Sequence, residues 1–220
     1  PLWVADGDFA VANPIQQALI ARANHPIYGY TNHPRGLTES LINWQAQRHG
    51  WTIEPEWLVT MPGVVPTLYA AVKALTQEGD AVIVQPPVYT PFFNAVTDNN
   101  RRLLLNPLKQ VNGRYEMDFD HLEDCAKQGA KLLLLCSPHN PVGRVWTRDE
   151  LNKLIDISNR YDMVIVSDEI HADLVFATHK HTPLVSLEDL SDKLVTIFAP
   201  GKTFNTPGLG MAFMVASDPE

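Results

Sequence analysis

The sequence predicts an α/β fold with three layers, α/β/α, built around a mostly parallel sheet of about seven strands. Short runs of apolar residues recur along the chain, and segments with helical spacing separate them. The runs are apolar throughout rather than at every second residue, which is typical of strands in a parallel sheet covered on both faces. Glycine and proline mark the turns between the two kinds of segment.

The predicted helices and strands alternate along the chain. We expect a helix to begin at Asn13, with Asn13 as its N-cap and Pro14 in the first helical position, and a second helix to follow Gly36. The other predicted helices are residues 64–75, 121–127 and 147–161. The predicted strands are residues 57–61, 81–84, 102–105, 131–136, 163–167, 194–198 and 211–216. No internal repeat, low-complexity tract or linker divides the 220 residues, which favours a single large domain.

Composition and charge argue against several classes of function. The net charge of −8 comes with scattered lysines and arginines, whereas a surface that binds nucleic acid needs a clustered basic face. The longest apolar stretches are too short to cross a bilayer, and no secretory signal opens the chain. Cys125 and Cys136 lack the number and spacing of a disulfide framework or a zinc site. We therefore expect a cytoplasmic protein that binds neither nucleic acid nor membrane.

Four segments lie where chemistry is expected in such a fold, directly after predicted strands. Ligands of open α/β sheets bind beyond the carboxyl ends of the strands. The four segments are residues 63–65, 137–140, 167–169 and 199–202. Each has an ordinary interpretation by itself, because glycine and proline occur in any turn, aspartate often caps a helix and most lysines are solvated. Their combination in this order is specific.

These segments resemble the successive cofactor motifs of fold-type I enzymes that use pyridoxal 5′-phosphate (PLP), and the resemblance covers the whole chain. The matching residues are 137–144 (SPHNPVGR), 167–171 (SDEIH) and 201–205 (GKTFN). Residues 3–6 (WVAD), 168–173 (DEIHAD) and 202–205 (KTFN) look most like the MalY/PatB-type branch of cystathionine β-lyases and cysteine-S-conjugate β-lyases. His171 supports this branch, because aspartate-aminotransferase relatives more often carry tyrosine there.

The resemblance implies a role for each of four residues. Lys202 would form an imine with PLP and then act as a base. Asp168 would pair with the ring nitrogen of the cofactor, and the amide of Asn140 would donate to its 3′-oxygen. Tyr89 would stack on the ring, and the Asn140–Pro141 bond would be cis. The ordinary alternatives remain open: a helix cap for Asp168, a turn for Asn140 and a core position for Tyr89.

Further residues are expected around the phosphate and the cofactor ring. The backbone amides of Gly63, Val64 and Val65, at the start of a helix, would bind the phosphate. His171 joins the predicted cofactor-binding residues. Tyr30 matches a family tyrosine that reaches the phosphate of the neighbouring subunit, which implies a homodimer with shared active sites.

Three features depart from the pattern or compete with it. Gly201 stands where relatives usually carry serine, so weaker cofactor binding is expected, and Gly7 stands where the lyase branch usually has methionine. The run His179-Lys180-His181 could suggest a metal site, but no carboxylate or cysteine pattern completes it. We therefore expect no metal, and we interpret these histidines as surface residues.

The favoured function is elimination of a thiol from cystathionine or another cysteine S-conjugate, with pyruvate and ammonia as the other products. Aminotransfer is the alternative, because it begins with the same steps. A regulatory or interaction protein that keeps the fold, with incidental activity, is a third hypothesis. We expect residues 1–220 to be the large PLP-binding domain of a longer protein, lacking its N-terminal edge and the C-terminal domain whose arginine holds the substrate carboxylate.

Overall fold

A seven-stranded sheet forms the middle layer of the molecule, as predicted. The structure is a computed structural model that describes residues 7–30, 32–187 and 193–217. The strands are β1 (Leu58–Met61), β2 (Ala81–Val84), β3 (Arg102–Leu105), β4 (Lys109–Val111), β5 (Arg114–Glu116), β6 (Ala130–Cys136), β7 (Val164–Asp168), β8 (Leu194–Phe198) and β9 (Ala212–Ala216). The α-helices are α1 (Asn13–Ala23), α2 (Arg35–His49), α3 (Val64–Leu75), α4 (Pro91–Thr97), α5 (Phe119–Lys127), α6 (Arg148–Arg160) and α7 (Pro200–Thr203).

Strand direction brings the ends of six strands to one edge of the sheet. The strand order is β1-β9-β8-β7-β6-β2-β3. Neighbours from β8 through β3 pair in parallel, whereas β9 is antiparallel to both β8 and β1. Two antiparallel pairings in succession make β1 run in the same direction as β8. The segments that follow β1, β2, β3, β6, β7 and β8 therefore emerge at the same edge.

The central strand β6 shows why the predicted strands are apolar along most of their length. Leu133 and Leu135 pack on one face, in the core formed with α5 and α6. Leu132 and Leu134 pack on the opposite face, in the core formed with α3 and α4. All four side chains are at most 1% exposed, because helices cover both faces of the sheet.

The structure corrects the predicted start of the first helix. Asn13 is not the N-cap of α1: Ala12 occupies that position, and no side chain caps the helix. The carbonyl of Ala12 accepts the backbone N–H groups of Ile15 at 2.9 Å and Gln16 at 3.2 Å. Asn13 is therefore already within the first turn, where its side chain accepts a hydrogen bond from Gln17 on the next turn.

Four elements were absent from the prediction: α4, α7, β4 and β5. Helix α4 follows β2, and β4 and β5 form a separate two-stranded antiparallel ribbon outside the main sheet. The predicted strands and the helices α3, α5 and α6 agree with the structure to within about two residues at each end. No helix in the described ranges combines the length and the apolar character needed to cross a membrane.

Candidate active site

A cavity of about 780 Å³ opens at the edge of the sheet where the parallel strands end. Eight of the nine predicted site residues line it: Gly63, Val64, Val65, Tyr89, Asn140, Asp168, His171 and Lys202. They come from segments that are far apart in sequence, and the common direction of β1, β2, β6, β7 and β8 brings them together. The ninth, Tyr30, does not line the cavity and is fully exposed in the single chain.

Asp168 is a buried carboxylate at the end of β7, only 3% exposed. Its Oδ1 atom accepts a hydrogen bond from the backbone N–H of Ile170 at 3.1 Å. Burial raises the pKa of Asp168 to about 7, and the negative charge of Glu169 adds to the increase. Residues 170–173 form a turn and no helix begins in residues 169–175, so Asp168 is not a helix cap. A positively charged group in the cavity would stabilise its ionised form.

Lys202 lies in α7, the short helix that directly follows β8. Two backbone hydrogen bonds close the loop around it, from Phe204 to Pro200 at 2.9 Å and from Thr206 to Gly201 at 2.8 Å. Burial lowers the pKa of His171, and the positive charge of Lys202 lowers it further. His171 therefore stands near the lysine as a neutral side chain at neutral pH.

Asn140 and Tyr89 meet through their backbones on another side of the cavity. The N–H of Tyr89 donates to the carbonyl of Asn140 at 3.2 Å, and the N–H of Asn140 donates to the thiol sulfur of Cys136 at 3.3 Å. Within the described part of the chain, the side-chain amide of Asn140 has no hydrogen-bond partner, so it is available to a ligand. Tyr89 is 44% exposed and not a core residue. The Asn140–Pro141 bond is cis, as expected.

The start of α3 supplies backbone donors. The N–H groups of Val64 and Val65, in the first turn, have no partner within the helix, and the next residue, Pro66, has no N–H group. Both residues line the cavity. Together with the helix dipole, these amides favour an anion such as a phosphate at this point.

The donor set fits PLP. Amides at the start of α3 suit its phosphate, the carboxylate of Asp168 suits a protonated ring nitrogen, and the amide of Asn140 suits the 3′-oxygen. Lys202 lines the same cavity. Among the described residues, no cluster of three or more histidine, cysteine or acidic side chains is arranged to hold a metal ion.

The interpretation of His181 as a surface residue is wrong. His181 is 4% exposed, and its Nε2 atom lies 2.8 Å from Oε2 of Glu169, which is also buried. The other carboxylate oxygen of Glu169 accepts from the hydroxyl of Ser167 and the backbone N–H of Leu184, both at 3.0 Å. His179 is exposed. Residues 179–181 are all polar, so the sequence did not indicate that the chain passes from the surface at His179 to a buried position at His181.

Sequence reasoning also left two motif residues without a role. Asp173 accepts hydrogen bonds from side chains of α2 and from Thr203, next to Lys202. Asn205 binds the N-terminal segment: it accepts from the N–H of Gly7 at 3.0 Å and donates to the carbonyls of Gly7 and Phe9, both at 2.9 Å. The sequence signal that could have identified Asp173 and Asn205 is their position in the motifs 168–173 and 202–205. The residues 3–6 that contributed to the resemblance lie outside the described ranges.

Known proteins resemble the chain over nearly all of its length. Cystathionine β-lyase PatB of Bacillus subtilis is 45% identical over 220 residues, which cover 99% of this chain and 57% of the relative. Protein MalY of Escherichia coli is 31% identical, covering 97% of this chain and 55% of MalY. The crystal structure of cystalysin from Treponema denticola, which contains PLP, is 40% identical with a TM-score of 0.95, covering 100% of this chain and 56% of that one.

The chain spans a little over half the length of these relatives. The model of the family described as aminotransferase class I and II matches residues 8–219. The chain therefore belongs to the class I and II aminotransferase family.

Proposed function

We propose that the protein is a PLP-dependent carbon–sulfur β-lyase, which releases a thiol, pyruvate and ammonia from cystathionine or another cysteine S-conjugate. The observation that carries the proposal is the convergence of Lys202, Asp168, Asn140 and Tyr89 on one cavity beside the amides of α3. The choice of reaction is supported by relatives named as cystathionine β-lyases, PatB in particular.

Lys202 and Asp168 would have the chemical roles in this site. PLP, when bound, supplies an electron sink for the pair of electrons that removal of the α-proton leaves on the substrate. The amine of Lys202 would hold the cofactor and would act as the base that takes the α-proton of the substrate. The carboxylate of Asp168 holds a proton on the ring nitrogen, and its burial strengthens this interaction because water does not screen it.

The other residues would bind and orient. The amides of Val64 and Val65 bind the phosphate, and the amide of Asn140 donates to the 3′-oxygen. The ring of Tyr89, partly exposed at the cavity wall, stacks on the cofactor. His171, with its lowered pKa, is a neutral neighbour that does not compete with Lys202 for protons at neutral pH.

Aminotransfer is the second candidate function, favoured by the family to which the chain belongs. It needs the same lysine and the same buried carboxylate. The two reactions differ in the fate of the bound substrate, which either loses its β-substituent or passes its amino group to a keto acid.

A test with cystathionine separates the two functions. Purified full-length protein with PLP, incubated with cystathionine and no keto acid, is expected to form pyruvate, ammonia and thiol in equal amounts. Lys202→Ala is the control, which should form none of them. Activity that requires an added keto acid, without a thiol product, would replace the lyase proposal by an aminotransferase.

The setting of the protein is part of the same proposal. We infer that residues 1–220 are the large domain of a cytoplasmic homodimer, with a small sulfur-containing amino acid as substrate and with Tyr30 reaching the phosphate of the neighbouring subunit. The exposure of Tyr30 in the single chain supports this role, since the side chain is available to a second subunit.

A further inference from the structure

Thr203, the neighbour of Lys202, is tied by its side chain to a carboxylate on another part of the fold. Its hydroxyl donates to Oδ2 of Asp173 at 2.8 Å. We propose that Asp173 is a positioning residue, which fixes the direction of Lys202 by holding Thr203. The inference rests on the proposed function, in which Lys202 binds the cofactor.

Asp173 is itself held firmly from the side of α2. The indole Nε1 of Trp44 donates to its carboxylate at 3.1 Å, and Nε2 of His49 lies 2.8 Å from Oδ1. The side chains of Asp173 and His49 are 13% and 8% exposed. These two contacts from α2 orient the carboxylate of Asp173 without any contribution from Thr203. The carboxylate can therefore hold the hydroxyl of Thr203 in a defined position.

The charge of Asp173 is maintained in this setting. Burial alone would raise its pKa, but the hydrogen bonds from His49 and Thr203 outweigh burial, and the pKa is lowered. A hydrogen bond to an ionised carboxylate is about twice as strong as one between neutral groups. The link to Thr203 is therefore a strong one at neutral pH.

The loop that carries Lys202 is short enough to transmit this constraint. Helix α7 has four residues, and backbone hydrogen bonds close it from Phe204 to Pro200 and from Thr206 to Gly201. Consecutive residues of a helix point about 100° apart, so Lys202 can face the cavity while Thr203 faces Asp173. Fixing Thr203 limits rotation of the turn, and with it the position of the lysine amine.

The consequence would be seen in the rate at which the lysine reacts with the cofactor. Reaction between a fixed amine and a bound aldehyde depends on orientation, and a displacement of about 1 Å can cost up to about 100-fold in rate. Thr203→Val replaces the hydroxyl by a methyl group of similar size and leaves Trp44 and His49 on Asp173. We expect it to slow covalent attachment of PLP to the apoprotein by about tenfold or more.

The experiment compares four proteins by stopped-flow absorbance after PLP is added to apoprotein. These are the wild type, Thr203→Val, Thr203→Ser and Thr97→Val. The last is a matched loss of an exposed hydroxyl in α4, which donates to the carbonyl of Phe93 at 3.2 Å. Thr203→Ser and Thr97→Val should attach PLP at the wild-type rate. The pH dependence of the absorbance of the bound cofactor should shift in Thr203→Val alone, and a purely structural role would not move it.

Circular dichroism establishes whether each variant is folded. If Thr203→Val does not fold, Thr203→Ala takes its place, and we expect it to slow the attachment of PLP in the same way. Attachment by Thr203→Val or Thr203→Ala at the wild-type rate, or failure of Thr203→Ser to restore it, would overturn the inference. A wild type that attaches no PLP at Lys202 in a peptide map would instead overturn the proposed function, and this inference with it.

Discussion

Asp168 is the residue whose chemistry depends most on whether the cavity holds a cation. Burial raises its pKa to about 7, compared with about 4 for an exposed aspartate. Below pH about 4 the group is protonated in both the folded and the unfolded chain, so it does not affect stability. Between pH about 4 and about 7 the carboxyl group of Asp168 ionises in the unfolded chain but stays protonated in the folded one. The free energy of unfolding of the apoprotein therefore falls by up to about 4 kcal/mol across this range. Above pH about 7 the loss is complete.

Asp168→Asn should remove this pH-dependent loss. The amide is nearly the same size, keeps an oxygen for the N–H of Ile170 and carries no charge. The apoprotein of the variant is expected to be more stable than the wild type at pH about 8, and equal to it at pH about 4. Urea unfolding of both apoproteins across this range measures the difference. Parallel stability curves would show that Asp168 is not a buried ionisable group.

Gly201 gives a second test at the scale of one residue. A Cβ atom added there would lie 3.4 Å from Cα of Pro207, an ordinary contact, and the residue is not among the glycines with positive φ. Gly201→Ser is therefore expected to fold and to add a hydroxyl donor for the phosphate, raising PLP affinity by about tenfold. Gly201→Ala is the matched control, which adds Cβ without the hydroxyl. Equal dissociation constants for the two variants would contradict the prediction.

At the scale of elements, the start of α6 supports the turn that carries Asn140. Thr147 and Glu150 form a capping box. Arg144 donates two hydrogen bonds of 2.7 Å to the carboxylate of Glu150, and its carbonyl accepts the N–H of His139 at 2.8 Å. Burial alone would raise the pKa of Glu150, but the hydrogen bonds from Thr147 and Arg144 outweigh this effect, and the pKa is lowered overall. The carboxylate is thus charged when it pairs with Arg144.

Glu150→Ala should destabilise the protein by about 2 kcal/mol. It removes half of the capping box and leaves the buried guanidinium of Arg144 without its carboxylate. Asp149→Ala, one residue earlier and exposed, is the control: it removes an acidic side chain from the same first turn. Thermal or urea unfolding measures both. A loss no larger for Glu150→Ala than for Asp149→Ala would show that the ion pair and the cap contribute little.

The elements also show which parts of the fold the sequence could predict. Strands buried on both faces, such as β2 and the segment of β6 after the exposed Lys131, are apolar and were predicted almost to the residue. The β4–β5 ribbon is mostly exposed and has no such signal, and α4 is only seven residues long. The prediction of Asn13 as the N-cap was wrong because the carbonyl of the preceding residue, Ala12, accepts the first backbone hydrogen bonds of α1.

For the whole molecule, the position of the motifs could be predicted but not their neighbours. Each cofactor motif follows an apolar run, and the ends of parallel strands share one edge of a sheet. Strand order is not encoded in any one segment, so the contacts of Asp173 with α2 and of Asn205 with residues 7–9 required the structure. The burial of His181 could not be predicted for the same reason, since its partner Glu169 lies on another segment.

A shared active site is the prediction that belongs to the assembly. A mixed dimer of full-length protein can combine one subunit with Tyr30→Phe and one with Lys202→Ala, once Tyr30→Phe alone is known to weaken PLP binding. The only intact Lys202 then lies opposite the normal Tyr30 of the other subunit. We expect that site to bind PLP with wild-type strength, because a phenol can donate to a phosphate oxygen across the interface. Weakened binding would place Tyr30 in the site of its own subunit.

The central claim is that the cavity at the strand ends holds PLP on Lys202. Its most direct test is to load the full-length protein with PLP, reduce it with borohydride, digest it and map the modified peptide by mass spectrometry. We predict one pyridoxyl group per chain, attached to Lys202, and none in Lys202→Ala treated in the same way. Modification of a different lysine, or undiminished specific modification of Lys202→Ala, would contradict the assignment of this cavity.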